Sequence, residues 1–200
     1  MPKKVVVLLA EGFEEVEAIT PIDYLRRAGI EVTVAAVGTK GESLLVKGSH
    51  DILVAADAAL DSLAEAQKLD PAFWDAVVVP GGLPGADNLA ASAEVAVFLK
   101  VMARAEKLVC AICASPARVL APLGLLAGKK FSCYPGQEAV IPGGPAVAGA
   151  ELTQDRVVVD GNIITSQGAG TAGEFACAIV AELTSEDDAK KLAEKLLLLS

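Results

Sequence analysis

The chain has 200 residues, of which 53% are hydrophobic, 22% charged and 4% aromatic. This length is enough for a single domain with a substantial core, which we predict to span residues 1–200. The 26 acidic residues outnumber the 17 basic ones and give a net charge of −9. Because no basic stripe accompanies that charge and aromatic residues are scarce, the composition argues against nucleic acid as a partner.

Apolar residues occur in short runs separated by glycine, proline and charged residues. No run reaches the roughly 18 uncharged residues that a membrane-spanning helix needs, so we predict no membrane segment. The first run, Val5–Leu9, follows two lysines and meets Glu11 without a convincing cleavage site. We therefore interpret it as a strand and not as a secretion signal, and we expect a cytoplasmic protein whose four cysteines are free thiols.

The first half of the chain alternates two patterns: continuous apolar runs, which are typical of strands buried on both faces, and apolar residues at helical spacing. Short alternating segments between them indicate a hairpin. The predicted elements are strand Lys4–Ala10, helix Glu14–Ala28, strand Glu31–Val37, short strands Leu44–Val46 and Asp51–Ala55 around Lys47-Gly48, strand Asp75–Val79 and helix Asp87–Arg104.

The second half continues the alternation. We predict a hairpin over Arg156–Thr165, because Asp160-Gly161 suits a type I′ turn. Strands that alternate with helices predict an α/β fold with a mostly parallel sheet covered by helices. The other predicted elements are strand Leu108–Ile112, helix Pro116–Leu123, strand Lys130–Cys133, a loop at Ile141–Pro145, and helices Thr171–Leu183 and Glu186–Leu199.

Cys113 occupies the junction between the strand Leu108–Ile112 and the helix that opens at Pro116. A side chain on such a sharp turn is lifted clear of the sheet and lies beside free N–H groups at the positive end of the helix dipole. We therefore predict a reactive Cys113 with a lowered pKa. The alternative is a small buried core residue, since free cysteine is often buried.

Cys110 and Cys113 form a C-x-x-C pattern, which is found in redox and zinc sites. Period-two alternation places their side chains on opposite faces, and no second C-x-x-C or histidine pair completes a ligand set. The first strand–loop–helix lacks a G-x-G-x-x-G pattern, and no P-loop pattern occurs. We therefore predict no metal and no cofactor, assign Cys110 and Cys177 to the core, and leave Cys133 unassigned.

Two further segments end at the carboxyl edge of the predicted sheet, where ligands bind in parallel α/β folds. Gly81 and Gly82 follow the strand Asp75–Val79 and can offer backbone N–H groups to an oxyanion, although a simple tight turn is an equal alternative. Glu17 belongs to a cluster of four glutamates at a helix start, which favours a solvated face. Glu17 alone of them can face the site, where burial would let it hold and move a proton.

His50 is the only histidine, in the segment Gly48-Ser49-His50-Asp51 at a strand start. We find no obvious partner for it in the sequence. A dyad of His50 with Cys113 is therefore disfavoured, and a thiol site without histidine is the better hypothesis.

Several motifs in order resemble the DJ-1/PfpI superfamily, and most closely its DJ-1 (ThiJ, YajL) branch. The similarity extends over nearly the whole chain. The segments that carry it are Glu11–Ala18 with Pro21-Ile22-Asp23, Arg26–Ile30, Pro80-Gly81-Gly82 with Gly85–Leu89, Ala111–Pro116, and Thr165–Thr171 with Glu174-Phe175.

The resemblance implies a flavodoxin-like three-layer sandwich that forms a homodimer. It implies Cys113 as the reactive thiol, Glu17 as its carboxyl partner, and the N–H groups of Gly82 and Ala114 as an anion pocket. Members of the family are described as cofactor-free glyoxalases that turn methylglyoxal into lactate, and also as deglycases, oxidative-stress sensors and chaperones.

Two departures from the family pattern matter. Ala114 stands where the protease-like branch has histidine, which argues against a peptidase. Tyr134 precedes Pro135 where many DJ-1-branch members carry histidine, so Tyr134 can position substrate or water but cannot replace an imidazole. The leading hypothesis is an enzyme acting on small reactive carbonyl compounds, and the alternative is a redox sensor or chaperone that works through oxidation of Cys113.

Overall fold

A seven-stranded sheet forms the centre of the structure, a computed structural model that describes residues 2–39, 43–146 and 148–198. Two small two-stranded sheets accompany it. The strands are β1 (Lys4–Ala10), β2 (Glu31–Val37), β3 (Leu45–Lys47), β4 (Leu53–Ala55), β5 (Ala58–Ala59), β6 (Ala76–Val79), β7 (Leu108–Ile112), β8 (Lys130–Phe131), β9 (Glu151–Leu152), β10 (Val157–Asp160) and β11 (Ile163–Ser166).

The central sheet has the strand order β10-β11-β7-β6-β1-β2-β5. All neighbouring strands run parallel except β10, which pairs antiparallel with β11 as a hairpin. The α-helices are α1 (Glu15–Arg27), α2 (Leu60–Glu65), α3 (Gly85–Ala91), α4 (Ala93–Arg104), α5 (Ala172–Leu183) and α6 (Glu186–Lys195). The predicted α/β class is confirmed, and β3 with β4 forms the predicted antiparallel hairpin.

Helices cover both faces of the sheet and produce three layers. In β1, Val6 and Leu8 belong to the core cluster that contains residues of α2, α3 and α4, whereas Val5, Val7 and Leu9 belong to the cluster under α1, α5 and α6. The alternation follows from the period of two along a strand. Each fully buried valine or leucine stabilises the fold by roughly 1.5–3 kcal/mol, so β1 anchors both layers.

The connections after β1 and β6 leave the sheet in opposite directions. These two strands are parallel neighbours, and they are followed by α1 on one face and α3 on the other. Divergent connections of this kind open a crevice beyond the carboxyl ends of the strands. The loops Glu11–Glu14 and Pro80–Pro84 border that crevice.

The predicted helix Asp87–Arg104 is wrong as one element, since it consists of α3 and α4. Ser92 separates them: it ends α3 in an extended conformation, and its Oγ accepts the N–H of Val95 at 3.3 Å. A serine in this position satisfies an otherwise free N–H group of a new helix. Ser92 therefore ends one helix and caps the start of the next.

The segment after Cys113 also differs from the predicted helix Pro116–Leu123. Pro116–Leu120 forms one wide π-helical turn and Ala121–Leu123 a 3₁₀ turn. Such short turns align few peptide dipoles, so the expected helix dipole at Cys113 is weak.

The hairpin between β10 and β11 lies where predicted but has another turn type. Asp160 pairs with Ile163, so Gly161 and Asn162 form the loop. Of these two residues only Gly161 has a positive φ, at 62°. Type I′ needs positive φ at both positions, so the type I′ prediction is wrong, and glycine at the first position fits type II′.

In the second half of the chain, two predicted elements end earlier than expected. The strand Lys130–Cys133 shortens to β8, the helix Glu186–Leu199 ends at Lys195, and Leu199 lies outside the described residues. Among the residues the structure describes, none of the helices combines the length and the apolar character that crossing a bilayer would require.

Candidate active site

The site lies where β7, β6 and β1 end side by side. The N–H of Glu14, after β1, donates to the carbonyl of Gly81, after β6, at 3.0 Å. The hydroxyl of Ser115, after β7, donates to the carbonyl of Pro80 at 2.6 Å and is fully buried. The three segments that the sequence predicts to converge are therefore joined by hydrogen bonds.

Cys113 has the backbone geometry of a nucleophile on a sharp turn. Its φ is +64°, a left-handed conformation that residues other than glycine rarely adopt. The N–H of Cys113 donates to the carbonyl of Ser166 at 2.9 Å, and its own carbonyl accepts the N–H of Tyr134 at 2.8 Å. Both backbone groups are thus bound, which holds the side chain in place against the cavity.

Glu17 lies in the site and not on a solvated face. Its side chain projects from the first turn of α1, it is only 1% exposed, and it forms a hydrogen bond with the thiol of Cys113. The N–H of Gly81 donates to Oε2 of Glu17 at 3.0 Å, and the N–H of Ala169 also donates to this carboxyl. The position of α1 is fixed by Glu14, whose carboxylate caps the helix by accepting the N–H of Glu17 at 2.7 Å.

Glycine is required at both positions of the Gly81-Gly82 loop. A Cβ at Gly81 would lie 2.6 Å from the Cβ of Cys113 and 2.6 Å from Oε2 of Glu17. A Cβ at Gly82 would overlap backbone atoms of Gly12, Phe13 and Glu14, and Gly82 has φ of +90°. The loop is therefore more than a tight turn, because its lack of side chains lets thiol and carboxyl meet.

The Glu17–Cys113 pair has unusual acid–base properties. Burial raises the pKa of Glu17 to about 7, and the charge of Glu14 acts in the same direction. Burial raises the pKa of Cys113 to about 12, and the Glu17 carboxylate contributes to that rise. The N–H groups of Gly82 and Ala114 donate to the sulfur and act to lower the pKa of Cys113.

The predicted lowering of the Cys113 pKa is therefore wrong. The helix dipole that was expected to stabilise a thiolate is reduced to one π-turn, and burial next to a carboxylate outweighs the two backbone donors. The Glu17–Cys113 pair loses its first proton near pH 7 and keeps the second to much higher pH. A thiolate forms when the remaining proton lies on Glu17, so Glu17 is the candidate base for the sulfur.

Alkylation of Cys113 should consequently accelerate as the pH rises through about 7, the pKa of Glu17. Above that pH the carboxylate can accept the thiol proton, and below it the pair is fully protonated. In Glu17→Gln the carboxylate that takes the thiol proton and also raises the Cys113 pKa is gone, so the rise near pH 7 should disappear and alkylation should follow a single thiol ionisation whose pKa lies below that of Cys113 in the wild type. Peptide-mapped labelling with iodoacetamide measures both proteins, with Cys177 as the internal reference, and an unchanged midpoint in Glu17→Gln contradicts the assignment.

A cavity of about 240 Å³ opens onto the sulfur. This volume equals the space of about eight liquid water molecules, enough for a small carbonyl compound. Tyr134 lines it with 52% of its surface exposed, so the structure places this predicted site residue at the cavity. The residues that line the cavity are Glu14, Ser49, His50, Gly82, Leu83, Cys113, Ala114, Tyr134 and Gln137.

A larger groove of about 500 Å³ lies between α4 and the segment that precedes β6. Its lining is mostly apolar and includes Val97 and Phe98 but no cysteine or histidine. The smaller cavity is therefore the candidate site, because it alone of the two contains a nucleophile and a base.

His50 has a partner that the sequence did not reveal. His50 lines the cavity, and its Nδ1 lies 2.8 Å from Oε2 of Glu15. Glu15 is only 5% exposed, so it does not belong to a solvated helix face. The contact joins residues 35 positions apart, and the one local sign of it is Gly48, where a Cβ would overlap the Glu15 side chain.

The four cysteines are free thiols in different surroundings, as predicted. Cys110 is fully buried, and Cys133 is 4% exposed with its sulfur 3.9 Å from Oε2 of Glu138. Cys177, predicted to be core, is partly exposed and lines a separate groove beside α6. Cys113 alone among these thiols shares a cavity with a histidine and contacts a buried carboxyl.

Comparisons with known proteins find relatives that match nearly the whole chain. The Parkinson disease protein 7 homolog of Danio rerio is 39% identical over 98% of this chain and 97% of its own length. DJ-1 homolog B of Arabidopsis thaliana is 40% identical over 96% of this chain, but the chain spans only 40% of that relative's length. The glutathione-independent glyoxalase DJR-1.2 of Caenorhabditis elegans is 31% identical, with 96% of this chain and 95% of its own length covered.

Structural similarity is equally extensive. The crystal structure of Drosophila melanogaster DJ-1beta superposes with a TM-score of 0.87 at 38% identity and covers 100% of both chains. The sequence model of the DJ-1/PfpI family matches residues 3–182, which include every residue placed in the site above. The sandwich seen here is thus the flavodoxin-like fold of these relatives, and the chain belongs to the DJ-1/PfpI family.

Proposed function

We propose that the protein is a cysteine-dependent, cofactor-free enzyme that converts reactive α-oxoaldehydes, methylglyoxal above all, into 2-hydroxy acids without glutathione. The observation that carries this proposal is the contact of Cys113, which lines a small cavity with Gly82 and Ala114, with the buried carboxyl of Glu17. A relative at 31% identity that is named a glutathione-independent glyoxalase supports it.

The first step is addition of the thiol to the aldehyde. The Cys113 sulfur bonds to the aldehyde carbon while Glu17 takes the thiol proton and passes it to the carbonyl oxygen, which gives a hemithioacetal. The N–H groups of Gly82 and Ala114 stabilise the negative charge that develops on this oxygen. A pKa near 7 suits Glu17 to both halves of this transfer.

The second step is an internal oxidation and reduction. Glu17 removes the hydrogen of the former aldehyde carbon as a proton and returns it to the neighbouring ketone carbon through an enediol, while the hydroxyl proton moves to the neighbouring oxygen. The first carbon is oxidised to a thioester and the second is reduced to an alcohol, so no external oxidant, reductant or metal is needed. Water then cleaves the C–S bond, releases the hydroxy acid and restores the thiol.

The direct test is incubation of the purified protein with methylglyoxal and no glutathione, followed by measurement of lactate. We expect lactate to form in proportion to enzyme concentration and with rates that rise through pH 7. Absence of lactate above the rate in buffer contradicts the proposed function.

A second candidate function is a redox sensor that works through oxidation of Cys113. The observation that favours it is the partial exposure of Cys113 beside a buried carboxyl, whereas Cys110 and Cys133 are buried. Under graded peroxide, Cys113 should oxidise before the other three cysteines and stop at sulfinic acid, because Glu17 can hydrogen-bond that group. Intact-mass analysis with peptide mapping measures this order, and equal oxidation of all four thiols would eliminate the sensor function.

We also propose that the chain forms a homodimer through α1 and the β3–β4 hairpin. Apolar side chains are exposed on both elements, including Val16 at 48%, Ile19 at 41% and Leu53 at 61%. The N–H of Ile52 lies 3.5 Å from Oε1 of Glu15, which brings the hairpin against the start of α1. Exposed apolar side chains grouped on neighbouring elements are typical of an interface. Light scattering should give twice the 20.4 kDa mass, Ile19→Lys should shift it to the monomer, and a monomeric wild type contradicts the proposal.

A further inference from the structure

A second acid–base arrangement lies at the mouth of the cavity, apart from the Glu17–Cys113 pair. His50 lines the cavity together with Cys113 and Tyr134. Its side chain is 70% exposed, whereas the side chain of its partner Glu15 is 6% exposed. The ring is therefore held from below by a buried carboxylate and open to solvent above.

The turn that carries His50 is shaped around Glu15. Oε1 of Glu15 accepts the backbone N–H of His50 at 2.7 Å, and Oε2 lies 2.8 Å from the ring Nδ1 and accepts the Ser49 hydroxyl at 3.3 Å. Gly48 permits this arrangement, because a Cβ there would overlap the carboxyl of Glu15. Burial acts to raise the pKa of Glu15, but the hydrogen bonds from His50 outweigh it and the pKa is lowered.

An ionised Glu15 determines which ring nitrogen of His50 carries the proton. A carboxylate only accepts hydrogen bonds, so Nδ1 holds the hydrogen and Nε2 of the neutral ring keeps its lone pair. Within the described ranges, Nε2 has no hydrogen-bond partner, whereas Nδ1 is bound. A buried carboxylate that orients an imidazole in this way is the arrangement used for general bases in hydrolases.

We propose that His50 is a further catalytic residue, which activates the water that hydrolyses the Cys113 thioester, and that Glu15 is its positioning residue. The inference rests on the proposed function. Nε2 takes one proton from water as the water oxygen bonds to the thioester carbonyl carbon. The C–S bond breaks, the sulfur leaves with the electron pair, and the proton on His50 returns to the sulfur through solvent. Glu17 handles the protons of the earlier steps at the buried end of the cavity.

The charges around His50 set the pH at which it works. Glu15 raises the pKa of His50 above its usual 6.5, with smaller contributions from Glu14 and Asp51. Lys47 forms an ion pair with Asp51 at 3.1 Å, and its positive charge partly offsets the effect of Asp51 on the pKa of His50. Since a general base must be neutral, thioester hydrolysis should rise as the pH passes upward through this raised pKa. In Glu15→Gln the rise should move to lower pH, because its main cause is removed.

The test uses His50→Asn, whose amide nitrogen can still donate to Glu15 but which has no counterpart of Nε2. Methylglyoxal is mixed with the variant, quenched rapidly and analysed by intact mass and peptide mapping. Because the hemithioacetal and the thioester have the same mass, the thioester is identified by its cleavage with hydroxylamine. We expect the first turnover to proceed, a thioester to accumulate on Cys113, and steady-state turnover to fall by roughly 10²-fold. Glu15→Gln should show the shifted pH profile.

Two results would overturn the inference: unchanged turnover in His50→Asn, or loss of turnover with no thioester on Cys113. If His50→Asn does not fold, His50→Gln carries the same measurement, since its side chain is also neutral and exposed. Wild-type protein that produces no lactate defeats the proposed function itself. Wild-type turnover together with a fully active His50→Asn defeats only the role of His50.

Discussion

Replacement of Cys113 by serine is expected to reduce lactate formation from methylglyoxal by at least ~10³-fold, the order seen when the nucleophile of a covalent mechanism is removed. A serine hydroxyl is a far weaker acid than a thiol. Glu17, with a pKa of about 7, can therefore not take its proton at neutral pH. A loss of lactate formation of this size indicates covalent catalysis by the thiol, whereas a site that only binds the substrate would lose much less activity.

The matched control is Cys177→Ser. Cys177 is the other partly exposed thiol, and it lines a groove beside α6 that contains no residue of the proposed site. Its replacement should leave lactate formation within about twofold of the wild type, because surface changes away from the site have small effects. If Cys113→Ser keeps more than a tenth of the activity, the thioester mechanism is excluded.

Gly82→Ala is expected to lower the free energy of unfolding by about 3 kcal/mol or more. The new Cβ would overlap backbone atoms of Gly12, Phe13 and Glu14, which side-chain rotation cannot relieve. A φ of +90° adds strain of its own. Equilibrium unfolding in urea measures the loss.

Gly29→Ala is the control that separates strain from overlap. Gly29 has a similar φ of +78°, but a Cβ there would meet no heavy atom within 4 Å. Its replacement should therefore lower the free energy of unfolding by only about 1 kcal/mol. Failure of Gly82→Ala to fold while Gly29→Ala folds agrees with this expectation, and equal losses in the two variants contradict it.

Local patterns in the sequence were sufficient to predict most strands of the central sheet. The bounds of β2 and β7 coincide with the predicted ones, because an apolar run between glycine and charge leaves little choice of register. The break at Ser92 was missed because the apolar spacing continues through it, and only the contact of its hydroxyl with Val95 reveals a new helix. The convergence of the three segments that carry Glu17, Gly81 and Cys113 followed from the rule that ligands bind at the carboxyl edge of a parallel sheet, whereas the choice of Glu17 among the four glutamates followed from the family resemblance.

What could not be predicted depends on distant contacts. The pairing of Glu15 with His50 joins a helix to a hairpin turn, and nothing in either segment alone requires it. Whether the pKa of Cys113 is raised or lowered depends on how deeply its sulfur and the Glu17 carboxyl are buried together. The spacing of residues along the sequence does not determine that depth. Position along the chain was therefore enough to single out Cys113 as the candidate nucleophile, whereas the ionisation of its thiol depends on the packed structure.

The divergence of the backbone after β1 and β6 has a consequence for how such a protein changes over evolution. The gap between the two departing connections exists because of chain topology and is present whatever side chains border it. Residues such as Tyr134 and His50 can be exchanged without breaking any ladder between strands. New specificities can therefore arise through a few substitutions at the rim, while the framework that keeps the sulfur and its acid together is inherited intact.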